Sequence, residues 1–150
     1  MNVALKIAVI AAGYVVAVIV ATIVTVAFVL APSALPDNGA YGTIYGNLDD
    51  LPAMLAVGFI WTFPCALPGF IAAILLGERQ GWDGWLAYAL AGMANAAPSF
   101  AIFAAAIGSP FETPMMVVGA FPGGFAGGAV YWFTAGRLVA RWRYVAAEAA

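Results

Sequence analysis

Side-chain catalysis needs a nucleophile and a group to activate it, and this chain does not combine the two. Its serines are Ser33, Ser99 and Ser109, and there is no histidine to take their protons. The single lysine, Lys6, stands at the edge of a long apolar run. Asp49 and Asp50 are consecutive, so on a helix they diverge instead of converging on one atom. No enzymatic activity is expected.

Metal and cofactor chemistry is equally poorly supplied. Cys65 is the lone cysteine, which excludes an intrachain disulfide, and the commonest metal ligand is missing. No zinc, haem or iron–sulfur site, and no other cofactor, is expected within the chain. Asp37, Asp49, Asp50 and Glu112 carry hard oxygens suited to a divalent cation, but no ligand loop surrounds them. They read as a solvated surface, with Asp49 or Asp50 placed to cap a helix. Cys65, set in apolar sequence, reads as an inert thiol. No basic, aromatic-interleaved surface points to nucleic acid.

What remains is uncharged. Asn95 lies in the middle of an apolar stretch with Pro98 and Ser99 close behind it, and Pro64 falls at comparable depth in another. Residues 119–128 hold Pro122 and five glycines: Gly119, Gly123, Gly124, Gly127 and Gly128. Glycines four apart make a flat strip along a helix where a second backbone can approach closely. Two readings follow. The glycines pack one helix tightly on another, within the chain or between copies. Alternatively the helix breaks near Pro122, and Pro64, Asn95, Ser99 and Pro122 form a polar site at the membrane midplane.

The elements that position these residues follow from the charges. Only five basic and seven acidic side chains occur among 150 residues, 8% of the chain against about 25% in a soluble domain. They leave the uncharged stretches 7–36, 51–77, 84–111 and 113–136. Each is long enough to cross a hydrocarbon layer, which takes roughly 20 helical residues. The stretches do not alternate in polarity, so a barrel is excluded and helices are expected. The fold class is thus an all-α integral membrane protein: one antiparallel bundle of four transmembrane helices over about residues 5–31, 51–77, 85–107 and 115–136. Residues 137–150 read as a short basic tail.

Alternating spans put Lys6, Arg79, Arg137, Arg141 and Arg143 on one side and Asp37, Asp49, Asp50 and Glu112 on the other. The positive-inside rule then places both termini in the cytoplasm, with the bacterial inner (plasma) membrane as the expected location. Arg137, Arg141 and Arg143 could also meet anionic lipid headgroups. Expected partners are the bilayer and either further copies of the chain or a larger membrane complex. Proton-coupled transport needs an ionisable group inside the membrane, and the spans hold no carboxylate or histidine. Two functions stay open. One is a structural or assembly subunit packing through its glycines. The other is a small oligomeric channel or carrier for a neutral or weakly polar solute, with a midplane helix break in spans two to four.

Overall fold

A computed structural model of the chain describes residues 3–31, 48–107 and 114–148, and every regular element in them is helical. Four helices make the bundle: α1, Val3–Leu30; α2, Leu51–Gln80; α3, Trp85–Ile107; and α4, Pro114–Tyr131. A π turn, Trp132–Gly136, joins α4 to a further helix, α5, Arg137–Glu148. The stretch expected as a tail therefore continues the helical rod, with Val139 and Ala140 buried. The turn 36–39, the acidic residues Asp37 and Glu112, and Ser33 and Ser109 lie outside the described residues.

Three helices, α1, α2 and α3, are long and apolar enough to cross a membrane. α1 buries Gly13, Tyr14, Ala17, Val18, Thr22, Val26 and Val29, which recur at helical spacing and form one stripe. Its other face exposes Ile7, Val15, Ile19, Ile23 and Phe28. Large aliphatic side chains turned outward along a whole helix suit a lipid environment, because water would penalise such a surface.

Helix ends follow local chemistry. α2 begins after a 3-10 turn, Leu48–Asp50, and tolerates Pro52 because first-turn N–H groups have no partner in the helix. Asp50 occupies the N-cap position but its side chain makes no cap hydrogen bond, so the expected capping role is not realised. α2 also outlasts its expected end at residue 77 and runs to Gln80. Glu78 and Arg79 are good helix formers, and the stop comes at Gly81, whose φ of 66° and ψ of 40° reverse the backbone.

The proposed breaks are absent. Pro64 and Pro68 lie inside α2, Pro98 inside α3 and Pro122 inside α4, and each helix continues through them. Each proline removes one backbone bond, whereas opening the helix there would leave several backbone polar groups without partners. The irregularity falls instead at the π turn. There the Thr134 hydroxyl donates to the carbonyls of Val130 (2.9 Å) and Tyr131 (3.2 Å).

Consecutive helices run antiparallel. Lys6 Nζ meets Glu78 Oε1 at 2.5 Å, joining the start of α1 to the end of α2. Gly69 abuts Asn95 and Gly77 abuts Tyr88 between α2 and α3, while Gly13 abuts Ala135 and Gly123 abuts Thr25 between α1 and the α4 rod. α4 packs between α1 and α3, and α2 contacts the same two helices from the other side. The four form a ring with α2 and α4 facing each other.

Candidate functional site

The glycines explain how α4 fits. Gly119, Gly123 and Gly127 face α1: a Cβ on Gly123 would lie 2.7 Å from Ala21 O, and one on Gly127 would lie 2.9 Å from Ala17 O. Gly124 and Gly128 face α3, where Cβ atoms would collide with the backbone carbonyls of Gly92 and Tyr88. All five candidate packing glycines are thus brought into use, in two rows on two sides of one helix. Both rows are covered by the same chain. α1, α4 and α3 form a slab held by backbone-to-backbone contact.

α2 is attached differently. Among the polar contacts that hold it to its neighbours are three that start from other helices. Lys6 pairs with Glu78 at the surface. The Tyr14 hydroxyl donates to the carbonyl of Phe63. Asn95 Nδ2 donates to Ala66 O at 3.0 Å, its amide lying in the notch left by Gly69. Asn95 therefore does join neighbouring helices. Ser99 Oγ donates to Asn95 O at 2.7 Å, one turn back on its own helix. We expect Tyr14→Phe to lower the unfolding free energy in detergent by about 0.6–2 kcal/mol, the range of interhelical hydrogen bonds in membranes. An unchanged midpoint would show that the bond contributes nothing.

Between α2 and the slab lies a cavity of about 510 Å³, walled by residues from all four helices. Its surface is predominantly apolar, including Val18, Val26, Met54, Trp61 and Phe103. The polar side chains on it are Tyr14, Thr25, Thr62, Tyr88, Asn95, Ser99 and Tyr131, with the thiol of Cys65. Tyr14, Cys65 and Asn95 come from the middle turns of α1, α2 and α3, so three helices contribute to one level. No charged side chain borders the cavity among the described residues.

Toward the end that holds Lys6 and Glu78, aromatic rings meet across the bundle. Phe70 lies 4.4 Å from Tyr14 and 4.9 Å from Tyr131 between ring centroids, and Tyr88 lies 5.7 Å from Tyr131. Every helix of the ring supplies one of these residues, and Trp132 stacks on Tyr88 at 5.4 Å. Such pairs add about 0.5–1.5 kcal/mol each beyond the area they bury.

The candidate midplane residues are only partly united. Asn95 and Ser99 line the cavity, whereas Pro64 and Pro122 do not. Tyr14 was missed from sequence, since a tyrosine in an apolar helix carries no signal of the carbonyl it will find. Arg137 and Arg141 are exposed a turn apart, the arrangement a headgroup contact needs; the Arg143 side chain lies outside the described set. Asp49 and Asp50 are exposed beside the 3-10 turn. Comparison with protein families, with curated proteins and with solved structures finds no match to this chain.

Proposed function

We propose that this chain is a four-span membrane protein that binds a neutral, mostly apolar solute between α2 and the α1–α4–α3 slab, as the binding element of a small carrier. The observation that carries the proposal is the cavity of about 510 Å³ bounded by all four helices, within the roughly 300–1,000 Å³ typical of ligand sites. α4 counts as the fourth span because it is seated between α1 and α3 and shares their depth. The basic residues Lys6, Arg79, Arg137 and Arg141 support cytoplasmic termini, and a bacterial inner membrane suits that orientation.

Occupied glycine rows argue against the alternative of an assembly subunit. Packing on another chain through Gly123 or Gly127 needs a free glycine face, and α1 already covers it. Association with a larger complex would have to use the outward aliphatic faces.

The test is photolabelling of the protein in lipid nanodiscs with a neutral diazirine-bearing alkylbenzene, mapped by mass spectrometry. Cavity residues such as Trp61, Phe70 and Phe103 should be labelled, and an excess of the untagged hydrocarbon should protect them. Labelling of the outward Ile60 and Ile71 should be insensitive to the competitor, as for bulk lipid contact. Labels confined to the outward residues would overturn the proposal.

A further inference from the structure

Building on the solute-binding reading, we infer that the preferred solute carries a single hydroxyl on an apolar body, and that this hydroxyl seats against Asn95 and Ser99 at mid-depth in the cavity. The inference follows from where the protein's own polar hydrogens go. Tyr14 gives its proton to the Phe63 carbonyl, and Ser99 gives its proton to the Asn95 carbonyl. Both oxygens are left as acceptors only. Asn95 uses one amide hydrogen on Ala66 O. Its Oδ1 lies in the notch at Gly69, and its second N–H has no further hydrogen-bond partner among the described residues. Thr62, on the facing wall, can rotate to donate or accept. The level therefore offers a surplus of lone pairs and a single fixed donor.

Charged solutes fit this wall badly. No lysine, arginine, aspartate or glutamate borders the cavity among the described residues, so an ammonium or carboxylate would enter without a counter-ion. A hydrocarbon leaves the open lone pairs and N–H unmatched. An ether or ketone can accept from the Asn95 N–H, yet it sets its own lone pairs against those of Ser99. A hydroxyl does both, donating to Ser99 Oγ while accepting from the remaining Asn95 N–H. The rest of the molecule meets Phe70 and Ile74 toward one end and Val26, Val29 and Met54 toward the other, all apolar contacts.

The experiment extends the photolabelling to competition by one skeleton with three heads: 4-phenylbutan-1-ol, its methyl ether and butylbenzene. Concentrations are referred to the bilayer by measuring partition into empty nanodiscs. One net hydrogen bond should let the alcohol protect the cavity about three- to tenfold better than the other two. Ser99→Ala, which keeps the Asn95–Ala66 tie, should shrink that preference, and Asn95→Leu should abolish it. Equal protection by all three compounds in the unaltered protein would overturn the hydroxyl assignment while leaving solute binding intact. A preference that persists in the Ser99→Ala, Asn95→Leu double variant would also overturn it. Absence of any protectable label would remove the solute-binding reading and this inference together.

Discussion

Gly124→Leu and Gly128→Leu should each abolish the folded bundle, with no cooperative transition left in detergent. At Gly124 a Cβ would sit 2.9 Å from the carbonyl carbon of Gly92, and closer still to its oxygen. At Gly128 it would sit 2.8 Å from the carbonyl carbon of Tyr88 and 3.0 Å from Ala89 Cα. These obstacles are main chain, which cannot swing aside as a side-chain tip can. Overpacking a core usually costs about 1–3 kcal/mol because neighbours rearrange, and here relief requires moving a whole helix. A leucine adds three more carbons to the same collision. Gly84 supplies the internal control, since nothing lies within 4 Å of a Cβ built there. Gly84→Leu should change stability by no more than about 0.5 kcal/mol, the usual scale of surface substitutions. Thermal or denaturant unfolding followed by circular dichroism measures all three. A Gly124→Leu protein with an unaltered midpoint would show that α3 and α4 do not approach as described.

Ala91→Phe should remove solute binding while leaving the bundle folded. Ala91 lies on the cavity wall and is only partly buried, so a ring built there can turn into empty volume. The ring competes for space with the solute and not with packed atoms. Forcing an extra group into an already filled site costs about 1–3 kcal/mol, or roughly 10- to 100-fold in affinity once the solute is the group displaced. Protectable photolabelling of Trp61 and Phe103 should fall by that factor. The unfolding midpoint should hold or rise, because the ring adds apolar contact where there was none. A variant that binds as well as the parent would mean that the solute lies elsewhere. A variant that unfolds would mean that the wall is tighter than its volume indicates. The pairing with Gly124→Leu is informative, since one large side chain destroys the fold and the other leaves it standing.

Much of this arrangement can be read directly in the sequence, and the rest depends on which helix faces which. Uncharged stretches bounded by Lys6, Asp50, Glu78, Asp83 and Glu112 locate the helices to within a few residues, because a bilayer tolerates charge only at its edges. The same rule misplaces two ends. α2 continues past Glu78 because helicity stops where the backbone changes hand at Gly81, not where charge begins. The α4 rod continues past Arg137 for the same reason. The prolines mislead in the other direction. Pro64, Pro98 and Pro122 read as helix breakers, yet each lies inside a helix that continues past it.

The glycine pattern at 119–128 announces close packing without naming a partner. Only the fold divides it into one row for α1 and another for α3. The cavity is less legible still. Asn95 draws attention because it is the amide at mid-span, yet Tyr14, Phe70 and Tyr131 are ordinary membrane aromatics until three helices bring them together. The π turn at 132–136 has no sequence signal that we can identify.

The seat of α4 between α1 and α3 also sets the order in which the protein can be completed. Ribosomes deliver α1, α2 and α3 first, and the two glycine rows of α4 that seat α1 and α3 come after them. α1 must meet a helix that lies about a hundred residues downstream, a separation whose closure entropy is modest but whose delay is fixed by elongation. During that interval Gly92 on α3 and the Ala17–Ala21 face on α1 are uncovered, while α2 can already make its contacts through Phe63, Ala66 and Glu78. α4, the last made of the four helices in the ring, is the keystone. A nascent chain halted before residue 114 holds α1, α2 and α3 without the helix that seats between α1 and α3.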